Sequence, residues 1–155
     1  MTAVWNNFKE GSRTLESYAD TMVALGASTA SSSKEIAEGL EKFAPIANSV
    51  GLSFDYASAA LATMVATTRE SASVAGNALK TLFSRLEGLK LGETLEDGTD
   101  LNKYSKALYT VGINIKDANG ELKDMDLILN ELGNRWKDLA RDEQMALAQT
   151  VGGVR

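Results

Sequence analysis

The sequence predicts a mainly α protein, a compact bundle of about six to seven helices with one short β-hairpin near residues 113–123. Three observations carry that expectation. A single proline occurs in 155 residues, so long helices are permitted where a sandwich of short strands would need more turn punctuation. Apolar residues recur at helical spacing between glycines placed as helix stops. After Gly112 the period drops to two, the spacing of a half-buried strand.

The first helix is expected over about Thr14–Leu25, on Leu15, Tyr18, Met22 and Leu25, with Gly26 as its stop. Ser31, Ser32 and Ser33 then offer a cap. Ser32 and Glu35 stand at capping-box spacing, in which each side chain satisfies a backbone N–H left orphaned at a helix start. The second helix carries Ile36, Leu40, Phe43, Ala47 and Val50 on one stripe and ends at Gly51. Pro45 lies inside it, removes a backbone donor and crowds the preceding turn, which predicts a kink or break near Phe43–Ala44. Ser53 caps a third helix through about Thr68, with Tyr56, Ala60, Met64 and Thr67 in line and Leu61 and Val65 widening the face. A fourth, over about Ser73–Leu86, presents Val74, Ala78, Leu82 and Phe83 with Leu79 and Leu86 beside them. Small residues dominate from Ala57 to Ala78, so these two helices are expected to form a tight antiparallel pair.

Residues 88–99, with Gly88, Gly92 and Gly98 among acidic residues, have no period and read as a loop. That divides the chain into an N-terminal helical lobe, 1–87, and a C-terminal lobe, 100–155. Asp100 is placed to cap a fifth helix on Leu101, Tyr104 and Leu108, with Val111 near its end and Gly112 as stop. Ile113–Lys116 and Glu121–Lys123 alternate about the turn residues Asp117, Ala118, Asn119 and Gly120, which predicts the hairpin. A sixth helix starts at Asp124 or Asp126 and bears Ile128, Leu132 and Trp136, flanked by Met125, Leu129 and Leu139, with Trp136 in the core. Gly133 inside it costs about 1 kcal/mol against Ala, too little to end it. Asp142 caps a last helix with Met145, Leu147 and Ala148, which runs out at Gly152-Gly153. The ending on Val154-Arg155 reads as a piece of something longer. Trp5 precedes the clear periodicity and fits either an exposed anchor or an N-terminal staple.

Composition excludes several chemistries. Formal charge is −5 with Lys+Arg 16 against Asp+Glu 21, so there is no electrostatic footprint for nucleic acid. Cys 0 excludes disulfides, thiolate metal sites and cysteine nucleophiles, and His 0 removes the commonest general base and metal ligand. The N-terminus has no basic region leading into an apolar one, so no secretory signal is read, and no uncharged stretch reaches the roughly 18–20 apolar residues that span a bilayer.

Tested singly, the motifs that touch catalysis fail. Ser31-Ser32-Ser33-Lys34 has the Ser-x-x-Lys spacing of penicillin-binding enzymes but lacks their other elements, and a helix cap accounts for its serines. Placing Gly120 sixth in a calcium loop puts the first ligand on Ile115 and the twelfth on Asp126, so the pattern breaks at its main ligands. The carboxylates Glu93, Glu96 and Asp97, and Asp124 with Asp126, could serve glycoside hydrolysis by type. They lie without aromatics in a glycine loop and at a helix start, where negative charge is favoured anyway. No nucleotide-binding glycine pattern occurs. No catalytic, cofactor-binding or metal-binding residue is assigned.

Several segments together resemble the tail tape measure proteins of long-tailed bacteriophages and prophages, in their core region. The resemblance rests on Val23-Ala24-Leu25-Gly26-Ala27-Ser28-Thr29, on Lys42-Phe43-Ala44-Pro45-Ile46-Ala47 followed by Val50-Gly51-Leu52-Ser53, and on Ala78-Leu79-Lys80-Thr81-Leu82-Phe83-Ser84-Arg85-Leu86. Val111-Gly112-Ile113 leading into Asp117-Ala118-Asn119-Gly120-Glu121-Leu122-Lys123-Asp124, and Leu147-Ala148-Gln149-Thr150-Val151-Gly152-Gly153, continue it in family order along nearly the whole chain. It implies a non-enzymatic structural and assembly role, in which a long helical chain inside the growing tail sets tail length. It implies tube subunits, tail-tip proteins and assembly chaperones as partners, the tail lumen as location, and the host cytoplasm during assembly; self-association is a separate reading that the resemblance does not itself imply. A fully helical 155-residue segment would define at most about 230 Å. The chain lacks the long coiled coils, membrane stretches and hydrolase modules of full-length members, so one domain of such a protein is expected. Two alternatives stand beside it: a tail-associated peptidoglycan hydrolase using Glu93, Glu96 and Asp97, and a membrane-active domain in DNA delivery built on the Ala-rich third helix.

Overall fold

The computed structural model describes residues 2–8, 13–87, 93–94, 100–101 and 103–152. It is mainly helical, and its contacts divide it into two compact units, Met1–Phe83 and Ser84–Arg155.

In the first unit α1 (Thr2–Asn7), α2 (Leu15–Thr29), α3 (Ser33–Ser49) and α4 (Phe54–Thr68) are followed by α5 (Ala72–Glu87), which runs on into the second. Sequence reading did not anticipate α1. Helix α3 packs against α1, α2 and α4, and α2 also lies on α4. The stripe expected on α3 is buried throughout, Ile36, Leu40, Phe43, Ala47 and Val50 alike. Around it gather Val4, Phe8, Tyr18, Met22, Phe54, Leu61 and Phe83. Phe54 meets Tyr18 and Phe8 edge-on at 4.4 and 5.8 Å between centroids, and Phe43 lies 5.9 Å from Phe83. Such pairs add about 0.5–1.5 kcal/mol to their burial.

Caps set the boundaries. Thr14 and Ser53 accept from the N–H groups of Ser17 and Tyr56, and Ser32 with Glu35 forms a complete capping box. Gly51 ends α3 at φ +76°, with Leu52 N–H donating to the Ala47 carbonyl and Gly51 N–H to that of Asn48. Gly112 ends α6 in the same way at φ +79°. These paired bonds satisfy carbonyls that the helix end would orphan, and only the left-handed residue between them needs glycine's freedom.

Gly26 is different. The helix runs past it to Thr29 and turns at Ala30, φ +56°. A Cβ at Gly26 would stand 2.8 Å from the Ser31 carbonyl oxygen, so this glycine serves close packing and not termination. Nor does Pro45 break α3, which continues from Ser33 to Ser49. Pro45 is exposed while Phe43, Ala44 and Ala47 on the opposite side hold both halves in the core. Leu15, expected inside, is 48% exposed, because the buried line of α2 is Tyr18, Met22 and Gly26.

Two faces are rotated from expectation. Helix α4 buries Phe54, Ala57, Ser58, Leu61 and Val65, leaving Tyr56, Ala60 and Met64 half-buried and Thr67 exposed. Helix α5 buries Ala72, Ala75, Leu79, Phe83 and Leu86, with Val74 and Ala78 outside. The tight approach made possible by small residues joins α5 to α3: a Cβ on Gly76 would lie 2.2 Å from the Gly39 carbonyl oxygen.

The second unit carries β1 (Glu93–Thr94) antiparallel to β2 (Asp100–Leu101), with Glu93 opposite Leu101, then α6 (Lys103–Thr110), α7 (Met125–Arg135) and α8 (Arg141–Gly152). Asp100 and Leu101 thus belong to β2 and not to a helix start. Most of the loop expected over 88–99 lies outside the described residues. Helix α6 packs on α8, and Leu108, Val111, Ile113, Ile115, Met125, Ile128 and Leu147 are buried. The hairpin expected at 113–123 does not form strands; its pairing is one isolated bridge, Lys116 opposite Leu122. The Asp117 carboxylate accepts the N–H groups of Asn119 and Glu121 at 2.9 and 3.0 Å and winds the chain tightly, and α7 begins at Met125 before a ladder can extend. Trp136 is also not a core residue. Helix α7 tightens into a 3-10 turn, Trp136–Asp138, which swings the ring off the Ile128 stripe and leaves it 37% exposed. In α8 the Glu143 carboxylate accepts the Ala140 N–H at 2.9 Å, so Ala140 takes the capping position expected of Asp142, and Met145 is exposed.

Candidate functional site

Several of the groups weighed for chemistry have a local structural task. Ser32 donates its backbone N–H to Glu35 at 2.8 Å, its hydroxyl donates to the same carboxylate at 2.9 Å, and that hydroxyl accepts the Glu35 N–H. The backbone donor first, then the hydroxyl, holds the Glu35 carboxyl below its ordinary pKa. Lys34 points to solvent beside Glu38 at 3.8 Å and has no part in the cap. Asp117 is engaged by its own turn. Asp124 precedes α7 and Asp126 sits in its first turn, where the helix dipole favours negative charge. Glu93 lies on β1, whereas Glu96, Asp97 and the Trp5 side chain lie outside the described residues. Among the described residues no three carboxylates gather as a metal site would require, and no helix is long and apolar enough to cross a membrane.

Sequence reading missed the most elaborate polar cluster. The Arg13 guanidinium lies 4.7 Å from the ring centroids of both Tyr18 and Phe54, donates to Asp55 at 2.7 Å and to Thr21 at 2.8 Å, while Tyr18 donates its hydroxyl to the Phe8 carbonyl. These contacts tie Phe8 and Arg13, on either side of 9–12, to α2 and α4. Arg13 precedes any periodic segment, so no pattern in the sequence marks it.

Among the described residues, two concave features are open surfaces. One, about 580 Å3, lies between the C-terminal turns of α2 and α4. The other, about 530 Å3, is an apolar groove along α4 lined by Tyr56, Ala60, Thr63, Met64, Thr67 and, from α5, Leu79. The line of residues read from the sequence as the core face of this helix is therefore the one left open. Neither concavity brings a nucleophile, base and oxyanion donors together; both suit protein contact.

Among the described residues, the polar clusters named above serve caps, turns and packing. In comparison with known families, residues 1–153 match the model of the phage-related minor tail proteins, and the chain belongs to that family. It is a phage tail protein, with the virion tail as its location and other tail components as its partners. No solved structure matches the chain.

Proposed function

We propose that this chain is a non-enzymatic domain of a tail tape measure protein, acting in tail assembly and length determination through helix-mediated contacts inside the tail tube. The observation that carries the reading is the ordered run of tape-measure-like segments, from Val23–Thr29 to Leu147–Gly153, along a chain of the minor tail family. A sequence without His or Cys, in which Ser32, Glu35 and Asp117 are occupied by caps and turns, supports a role in assembly over one in catalysis. Tube subunits, tail-tip proteins and assembly chaperones are the partners this reading expects.

The test is an in-frame deletion, and separately a duplication, of this segment in a phage that encodes it, with tail lengths measured by electron microscopy. The reading expects tails shorter after deletion and longer after duplication, by at most about 230 Å for a fully helical segment and by less for one that stays compact. Intact tails of unchanged length in both would overturn it. Clearing of cell walls in a zymogram by the purified chain would overturn its non-enzymatic part.

A further inference from the structure

Helices α2, α3 and α4 form a closed set. Each packs on the other two, and each starts on a side-chain cap, at Thr14, Ser32 and Ser53. Helix α1 stands outside that set. It has six residues, against roughly 12–15 for a helix that holds together alone in water, and among the described residues its main contact is with α3. No acidic side chain lies in its first turn and no basic one in its last, so no charged side chain offsets its dipole. What holds it is small and identifiable. Val4 and, just past the helix, Phe8 are buried one turn apart, and the Phe8 N–H donates to the Val4 carbonyl at 3.1 Å. The Phe8 ring meets Phe54 at 5.8 Å between centroids, and the Phe8 carbonyl accepts the Tyr18 hydroxyl.

We propose that α1 is a strap that unlatches by itself, leaving α2, α3 and α4 folded, with the bond from the Tyr18 hydroxyl to the Phe8 carbonyl as its catch. Docking α1 fixes the backbone of every residue in it, and among the described residues the burial of Val4 and Phe8 is what offsets that cost. The set of three keeps its own contacts when α1 leaves. Arg13 adds to them, since it donates to Thr21 of α2 and Asp55 of α4 and lies over the rings of Tyr18 and Phe54. Helices α2 and α4 thus stay tied through a residue outside α1.

Unlatching uncovers apolar surface that the closed form hides. Phe54 loses its edge contact with Phe8, and the face of α3 beneath α1 opens to water. The surface at stake is that of Val4 and Phe8 and what they cover, so opening costs far less than unfolding the unit. Openings of this sub-global kind fall on the elements with fewest buried contacts. The device belongs to the first unit, Met1–Phe83, and is independent of a tape measure role.

Native-state hydrogen exchange on the full chain tests it, with the Phe8 amide reporting the strap and the Leu40 and Phe43 amides of α3 reporting the core. Phe8 is expected to be protected, yet at least about 100-fold less than Leu40 and Phe43. Low urea should speed Leu40 and Phe43 and leave Phe8 alone, because opening the strap exposes little surface. Val65→Ala, at the buried C-terminal end of α4, should speed Leu40 and Phe43 about tenfold with Phe8 unchanged. Tyr18→Phe keeps the ring and removes the catch, and should speed Phe8 about two- to tenfold. Val4→Asp, which sets a charge where an anchor was, should abolish protection at Phe8 while Leu40 and Phe43 stay protected at least about 100-fold. Equal protection at Phe8 and Phe43, a Val65→Ala effect shared by Phe8, or loss of core protection in Val4→Asp would each mean that α1 opens only with the whole unit, and would overturn the proposal. No protection at Phe8 in the parent would mean that no latch closes, and would overturn it equally. An unchanged Phe8 in Tyr18→Phe would overturn the assignment of the catch.

Discussion

Ser58 sits 2% exposed in α4, and its Oγ has no hydrogen-bond partner among the described residues. A buried hydroxyl without a partner keeps the cost of leaving water and gains nothing for it, on the order of 1–3 kcal/mol. Ser58→Ala is therefore expected to stabilise the protein by about 1 kcal/mol, read as a higher urea midpoint at unchanged slope. A lower midpoint would mean that the hydroxyl is satisfied by a water bridging to the backbone. Glu35 is the opposite case, a fully exposed group whose Oε2 accepts both the backbone N–H and the hydroxyl of Ser32. Its folded pKa lies below the ordinary 4.5, so the contribution of its charge is complete above that value and is lost as pH falls through the folded pKa. Glu35→Gln, which can still complete the cap, should change stability little at pH 7 and flatten its decline below about pH 4.5, as thermal melts through that range would show. A decline as steep as in the parent would assign it to other carboxylates. Arg13 works through shape as well as charge, since its planar guanidinium is held by two rings. Arg13→Lys keeps the charge but not the stacking and should cost about 1–2 kcal/mol in urea unfolding.

The glycines inside helices make a sharp pair of expectations. Gly76→Ala gains about 1 kcal/mol of helix propensity, yet its Cβ meets a backbone oxygen at 2.2 Å that no rotamer change can move aside. Net destabilisation of about 1–3 kcal/mol is expected as α3 and α5 are pushed apart. Gly133→Ala meets nothing within 4 Å and should stabilise by about 1 kcal/mol. Urea midpoints moving in opposite directions would confirm the contrast, and a stabilised Gly76→Ala would show that the crossing can relax. These residues also show what is legible in a sequence. Helix starts are, because a cap is a local contract: Ser32 with Glu35, and Ser53 with the α4 N-terminus, depend on residues three apart. Glycine's role is legible only where the next residues leave the helix, as at Gly51 and Gly112. Gly26 has the same kind of neighbours in sequence, and only the fold shows the Ser31–Ser33 backbone pressed against it. The faces of α4 and α5 differ from expectation for a related reason. From Tyr56 to Thr68 neither side of α4 carries a charge, so periodicity alone does not choose between Tyr56-Ala60-Met64 and Ala57-Leu61-Val65, and the aromatic cluster around Phe54 decides. The open groove along α4 is therefore present in the sequence but reads there as interior. The Arg13 cluster, made by residues far apart along the chain, leaves no local sign.

At the scale of the whole molecule, the inventory of titratable groups follows from composition alone, and it constrains behaviour more firmly than any single contact does. Stability changes with pH only where folded and unfolded chains bind different numbers of protons. The chain has no His and no Cys, so between the carboxylates, near pH 4, and the tyrosines and lysines, near pH 10, only an α-amino group titrates. The thermal midpoint is accordingly expected to stay within about 2 °C from pH 5.5 to 8.5 and to be indifferent to reductant. Below about pH 5 two effects act together. The Glu35 carboxylate, held below its ordinary pKa by its cap, begins to withdraw its contribution, and the net negative charge falls toward zero near the sequence pI of 4.8. Melting temperature should therefore drop on the acid side while self-association rises there, because the repulsion between like-charged copies disappears. Scanning calorimetry with light scattering across pH 3.5–8.5 separates the two. If scattering rises near the pI while the melting temperature holds, loss of charge repulsion acts without loss of stability. If the melting temperature falls and scattering does not rise, the withdrawn carboxylate contribution acts alone.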